Sequence, residues 1–251
     1  MKAISLWQPW ATAIALGSKT IETRHWETKY RGRLAIHAAK RCNLEELEHI
    51  AAQPCWRGAL HPITNKLRGL MANPRTFRAE LPFGALVATC TIVDCRPSES
   101  FPGFERWANP SGSWTNADMG DFSPGRFGWM LEDIEALPAP IPWRGGQGFF
   151  EVPDVTAARI LAERERQVDL GWTPAHDDQH VNNEIETAAH CYLTACRDGY
   201  DEIAVMNHWP WEMDSFRPGS ASRNMVKAGA LLLAEQERIE RSHLAYRAGV
   251  A

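Results

Sequence analysis

The sequence predicts an α+β fold in two parts: a strand-rich domain with flanking helices over residues 1–154, and a smaller, mainly helical module over 155–251. Three observations predict it. Ala85-Leu86-Val87-Ala88-Thr89-Cys90-Thr91-Ile92-Val93 is almost continuously apolar and rich in β-branched residues, as at the centre of a barrel or sheet. Shorter strand-like runs flank it, divided by Gly- and Pro-rich stretches. From Thr156 onward the apolar residues follow helical spacing instead.

In chain order, Ile4, Leu6 and Gln8 open a short strand that Pro9 ends. Pro9 suits the first turn of a helix running to about Leu16, where its missing N–H costs nothing. Gly17 suits that helix's C-terminus, which needs a left-handed residue. Arg33 to Ala39 reads as a buried strand. Leu44, Leu47, His49, Ile50 and Ala51 form a helical stripe behind Asn43, a good N-cap, and Pro54 ends it. Residues 54–82 read as an irregular insertion with one short helix. Residues 96–125, rich in Pro and Gly, read as a lid or binding loop carrying Trp107 and Trp114. Phe127 to Leu131 is a strand, Pro138, Pro140 and Pro142 mark an extended link, and Gly148 to Val152 is the last strand before Pro153. Beyond it come helices at Ala157–Gln167, Asn183–Cys196 and Ser222 to about Tyr246, with Trp209-Pro210-Trp211 in a loop.

The 251 residues suffice for one large or two modest domains, and the net charge of −4 selects no partner class. Its distribution is more informative. Residues 1–41 carry eight Lys and Arg against Glu22 and Glu27, whereas 155–251 carry ten basic and fifteen acidic residues. A basic zone on an acidic protein fits a confined anion site better than a broad DNA-binding face, with a solvated basic surface as the alternative. No apolar run approaches the roughly 20 residues that span a bilayer, and the N-terminus lacks signal-peptide order. The six cysteines form no Cys-x-x-Cys pair and read as buried residues of a reducing compartment, hence a cytoplasmic protein. No phosphate loop, nucleophile elbow or dinucleotide fingerprint occurs, so no cofactor is expected.

Chemistry-bearing residues crowd into Gly17-Ser18-Lys19-Thr20-Ile21-Glu22-Thr23-Arg24. Extended, this piece puts Thr20, Glu22 and Arg24 on one face; turned, it lets Lys19, Glu22 and Arg24 converge. A buried lysine loses proton affinity and can act as a base. Glu22 can relay a proton or accept a base amino group, and Arg24 has the planar fork for a phosphate or oxyanion. The alternative is a Lys19–Glu22 surface pair of little consequence. Trp7 and Trp26 beside these charges suit base stacking, against core packing as the alternative for a chain with eleven tryptophans. Gln8 can read a base edge or cap the adjacent helix, Arg31 and Arg33 extend the basic zone, and His37 reads as a satisfied core histidine. In His176-Asp177-Asp178-Gln179-His180 two histidines four apart can share a metal. Behind Pro174 the string reads better as a helix start with an Asp cap, so no metal is expected there.

Trp7-Gln8-Pro9-Trp10-Ala11, Gly17-x-Lys19-x-x-Glu22-x-Arg24, Tyr30-Arg31-Gly32 and Ile36-His37-Ala38, in that order, resemble the ASCH domain family. Gly84-Ala85-Leu86-Val87, Phe127–Leu131 and Gly145-x-Gln147-Gly148-Phe149-Phe150 extend the likeness to residues 1–153. The resemblance implies a PUA-like β-barrel with flanking helices and a cleft at one end. It implies a pocket of nucleobase size, in which Lys19, Glu22 and Arg24 are the catalytic candidates and Trp7, Gln8, Trp26, Arg31 and Arg33 the nucleotide- or RNA-binding ones. Some members are amidohydrolases that deacylate N4-acetylcytidine with the motif lysine and a threonine three residues later; this chain departs from them by carrying Glu22 there. Others are ribonucleases or nucleic-acid-binding modules. Gly171-Trp172-Thr173-Pro174, Trp209-Pro210-Trp211 and Val226–Leu231 resemble an uncharacterised helical module of bacteriophage proteins; for a phage-encoded chain the compartment becomes the host cytoplasm. The function expected is binding of RNA, a nucleotide or a modified nucleoside in the Lys-Glu-Arg cleft, with hydrolysis as an added activity. The alternatives are an amidohydrolase or ribonuclease, and a protein-interaction module, with a vestigial pocket, whose acidic helices meet a protein partner.

Overall fold

The computed structural model describes residues 1–251 except 54–55, 57–59, 61–79, 102–115, 198 and 248–251. Most of the expected 54–82 insertion, and Trp107 and Trp114 of the expected lid, lie outside the described residues. The chain forms two compact units, Met1–Pro153 and Asp154–Ala251.

The first unit is built on one six-stranded sheet. Its strands are β1 (Lys2–Leu6), β2 (Ile21–Arg24), β3 (Gly32–Ala38), β4 (Ala85–Pro97), β5 (Phe127–Pro142) and β6 (Phe149–Glu151). The order across the sheet is β2-β5-β4-β3-β1-β6. Only β1 and β3 run parallel, Ile4 opposite Ile36, with helices α1 (Trp10–Ala15) and α2 (Leu44–Ala52) flanking. The long apolar run of β4 sits at the centre, as its composition predicts.

Register slips at Ile36/His37 between β3 and β4 and at three places between β4 and β5. Each such bulge bends a strand and increases its twist. The sheet therefore curls and brings its two ends toward each other. Arg24, at the end of β2, donates from Nη2 to the Ser5 carbonyl of β1 at 3.1 Å. The Trp26 ring lies 5.2 Å from Phe149 of β6. The result is a curled half-barrel with helices, an α+β fold. Ile4, Leu6, Ile14, Leu34, Ile92 and Trp129 fill its interior. A second cluster joins α1 to α2 through Ala13, Leu47, Ile50 and Trp56.

The turn out of α1 follows from its sequence. Gly17 has φ +71, its N–H donates to the Ile14 carbonyl at 2.8 Å, and the Ser18 N–H reaches back to Ala13 at 2.9 Å. This is a Schellman ending, and glycine fits the left-handed position. The Asn43 side chain caps α2 by accepting from the Glu45 and Glu46 amides.

One link is not a link. The Pro138–Pro142 segment continues β5, with Ile141 opposite Leu86 and Pro142 opposite Ala85. β2 pairs with Phe127–Met130, and among the described residues no strand pairs with that side of β5 beyond it, which leaves an edge where proline loses no ladder bond.

The second unit comprises α3 (Val155–Asp169), α4 (Pro174–Asp177), α5 (Glu184–Thr194), α6 (Glu202–His208) and α7 (Ala221–Arg247). Ala188, Cys191, Tyr192, Val205, Trp209 and Ala228 form its core. Helix α6 lies in a stretch the sequence leaves without an element. Asp201 caps it by accepting from the Ala204 amide at 3.0 Å. The cap of α4 is Thr173, not an aspartate: Asp177 pairs with Arg164 and Asp178 with Arg241 at 2.9 Å. Among the described residues no group of three or more metal-ligating side chains assembles, and no helix is long and apolar enough to cross a membrane.

Candidate functional site

Both geometries weighed for the motif coexist. The Schellman turn drops Lys19 inward, and the chain then extends as β2, which puts Glu22 and Arg24 on one face. Lys19 has no exposed surface. Its ammonium donates to the Ile21 carbonyl at 2.6 Å and the Met119 carbonyl at 2.8 Å, and lies 3.5 Å from Glu22 Oε2. Arg24 Nε lies 3.0 Å from the other Glu22 oxygen. Glu22 is thus flanked by a cation on either side.

This arrangement decides what Lys19 can do. Burial pulls its proton affinity below that of an ordinary lysine; Glu22 opposes the shift and Arg24 adds to it. Yet all three ammonium protons face oxygens. A neutral amine would point its lone pair at one of them, with no donor there to meet it. We take the amine as a charged strut beneath the site rather than an exposed base.

The strut holds a segment that sequence reasoning missed. A 3-10 turn at Asn116–Met119 is bound along the motif. The Asn116 Oδ1 accepts from the Thr20 and Ile21 amides, each at 2.9 Å, and its Nδ2 donates to Thr20 Oγ1 at 3.0 Å. The Asp121 amide donates to Thr23 Oγ1 at 3.0 Å. Lys19, Thr20 and Thr23 therefore all act on residues 116–121. The only sequence signal for this was an unexplained abundance of donors and acceptors in the motif.

Above the strut opens a cleft of ≈ 590 Å³, within the range of ligand pockets. Glu22 and Arg24 line it with Ser5 and Trp7. Helix α2 contributes Glu46 and His49, and the opposite wall Asp118, Asp121 and Arg126. Trp7 is half exposed. Arg126 Nε lies 3.3 Å from Asp121, whose carboxyl is held below the usual carboxylate range chiefly by bonds from Ser123. The walls carry Lys19, Arg24 and Arg126 against Glu22, Glu46, Asp118 and Asp121. The basic zone of the sequence does not make an electropositive cleft.

A second cavity, ≈ 510 Å³, shares Ser5, Trp7 and Arg24 with the first and adds Trp26 and Gln147. Trp26 is mainly a packing residue, its ring edge-on to Trp129 at 4.6 Å, with one side on this second cavity. Gln8 is buried. Its amide donates to the Pro82 carbonyl at 2.6 Å while its oxygen accepts from the Thr12 amide, so both ends of the side chain are engaged within the protein and it caps α1. Arg31 pairs with Asp94 at 3.1 Å, and Arg33 binds Thr89 Oγ1 at 3.0 Å. Neither arginine lines either cavity. Their places at the start of β3, Arg31 just before it and Arg33 within it, direct them elsewhere, and spacing along the chain does not reveal that.

His37 is a satisfied core histidine. Its Nε2 faces the Trp143 carbonyl at 3.0 Å, so that nitrogen carries the proton, and Nδ1 accepts from the Ser5 hydroxyl at 3.0 Å.

Activating signal cointegrator 1 of Homo sapiens is 30% identical over 99 residues, 39% of this chain and 15% of that protein. The Mus musculus protein of the same name matches to the same extent. The chain thus spans a small part of the curated relatives it matches. Among solved structures, that of a point mutant of ZmASCH from Zymomonas mobilis is similar, at 14% identity and a TM-score of 0.33, covering 67% of this chain and 96% of that one. The ASCH domain family model matches residues 4–136, more than half of the chain and all of the motif and cleft floor. The chain belongs to the ASCH domain family.

Proposed function

We propose that the cleft binds a single nucleobase, as a nucleotide, a modified nucleoside or one residue of an RNA strand. The observation that carries this is Glu22, held between Lys19 and Arg24 on the cleft floor with half-exposed Trp7 beside it. A fixed carboxylate accepts from the amino or imino edge of a base, Arg24 donates to its carbonyl, and the tryptophan offers a stacking face. Such stacking is worth about 1–3 kcal/mol per base. The near-balanced charge of the walls suits a neutral heterocycle better than a run of phosphates. Each phosphate contact on a single strand steepens the salt dependence by roughly 0.7, so binding here is expected to vary little with salt.

The geometry favours a reader over a hydrolase that uses Lys19 as its base, because the amine is closed off by three acceptors. The test titrates the chain with the four ribonucleosides, N4-acetylcytidine and short single-stranded RNA and DNA at two salt concentrations. Saturable binding that survives the higher salt and weakens in Trp7→Ala and Glu22→Gln supports the reading. Binding to none of them at low salt would sink it in favour of an interaction protein. Release of acetate from N4-acetylcytidine, or strand cleavage lost in Glu22→Gln, would add hydrolysis with Glu22 as its base.

A further inference from the structure

The helical unit contains its own cavity, of ≈ 220 Å³, which no part of the nucleobase reading uses. Its two ends differ. At one end four rings close a circuit. Trp172 and His176 lie 4.9 Å apart, His176 and His180 4.8 Å, His180 and Trp211 5.3 Å, and Trp211 and Trp172 6.2 Å. Three of these rings carry a buried nitrogen that lacks a hydrogen-bond partner among the described residues: His176 Nδ1, His180 Nε2 and Trp211 Nε1. Native interiors rarely leave such groups unmatched without a reason.

The other end is cationic. Lys227 Nζ lies 5.0 Å from the centre of the Tyr192 ring and donates to the Arg217 carbonyl. The Arg217 amide donates to the Tyr192 hydroxyl at 3.3 Å. The wall carboxylates are already matched: Glu163 with Arg166 at 2.7 Å and Arg223 at 2.6 Å, Asp177 with Arg164. Among the described residues neither Arg217 nor Lys227 has a carboxylate partner. A cavity with an aromatic end, and at the other end half-buried Lys227 beside exposed Arg217, selects a flat ring bearing one negative charge. A cationic ligand is disfavoured by the same two groups. The volume lies below the range of drug-sized pockets, so the ligand is small.

We propose that this cavity binds a small aromatic carboxylate, its ring against Trp172 and Trp211 and its carboxylate toward Arg217 and Lys227. The proposal is independent of the cleft in the other unit. It is tested on the whole chain with benzoate, benzamide and benzylamine, which share a shape and differ in charge. Nitrogen-edited NMR spectra read the indole N–H signals, with Trp211→Phe used to assign that of Trp211. Benzoate is expected to shift the Trp211 signal saturably, and benzamide to bind about tenfold more weakly or less, as loss of a charge-assisted bond implies. Benzylamine is expected to give no saturable shift. Lys227→Met should weaken benzoate and leave benzamide unchanged. No saturable shift with benzoate, benzamide binding as tightly as benzoate, or any saturation by benzylamine would overturn the proposal. The ligand series is read on the unaltered chain, with Trp211→Phe serving only to assign the signal, so a misfolded Lys227→Met would not blur the result.

Discussion

Replacing Lys19 by methionine tests whether the motif lysine is a strut. Methionine keeps the apolar stem and most of the volume, so little cavity forms. What disappears is the ammonium that meets Ile21, Met119 and Glu22 at 2.6, 2.8 and 3.5 Å. Removing one partner of a buried ion pair costs about 3–5 kcal/mol. Arg24, 3.0 Å from the other oxygen, keeps Glu22 from being isolated and lowers the loss. The two orphaned carbonyls raise it again, by roughly 1–3 kcal/mol for each acceptor that stays buried and unmatched. With the relief from Arg24 set against the orphaned carbonyls, the expected total stays at about 3–5 kcal/mol. Adding Glu22→Gln removes the stranded charge, so the double variant should recover about 1–3 kcal/mol, the coupling expected of contacting groups. Amide exchange across β2 and β5, followed by mass spectrometry through a urea series, reads this unit apart from the helices. A loss under about 1 kcal/mol, or a double variant less stable than the single one, would show that Lys19 does not hold the cleft floor.

Three further outcomes follow from the geometry. Trp7→Ala should weaken nucleoside binding by about 1–3 kcal/mol with little change in unfolding midpoint, because the ring is half exposed; calorimetry and urea unfolding separate the two. Arg31→Ala and Arg33→Ala should leave nucleoside affinity unchanged, since neither lines a cavity; a tenfold loss by titration would contradict the site as drawn. Burial lowers the His37 pKa, and the Trp143 carbonyl offsets only part of this. A depressed histidine pKa means that His37 contributes stability fully present above the ordinary value of about 6.5 and lost as pH falls through the folded pKa. Ring nitrogen shifts should report an Nε2–H tautomer at pH 7, and stability should decline below about pH 6.5, less so in His37→Gln.

The local features were legible in the sequence because their causes are local. Gly17 ends α1 since only a residue tolerant of positive φ closes a Schellman turn without strain. Asn43 caps α2 with a side chain that reaches its own next amides. The apolar run of β4 has to be buried on both faces and so lies mid-sheet. The crowding of Lys19, Glu22 and Arg24 marked where side chains meet, though not how. Tertiary structure alone decided the rest. It set Glu22 between two cations, laid Asn116–Met119 along β2 from nearly a hundred residues away, and carried Arg31 and Arg33 off the cleft. It also supplied the acidic wall residues that cancel the basic zone. These outcomes depend on strand order and on bulges that curl β2 round toward β1. Both are settled by pairing between distant segments, which neither turn chemistry nor hydrophobic period records.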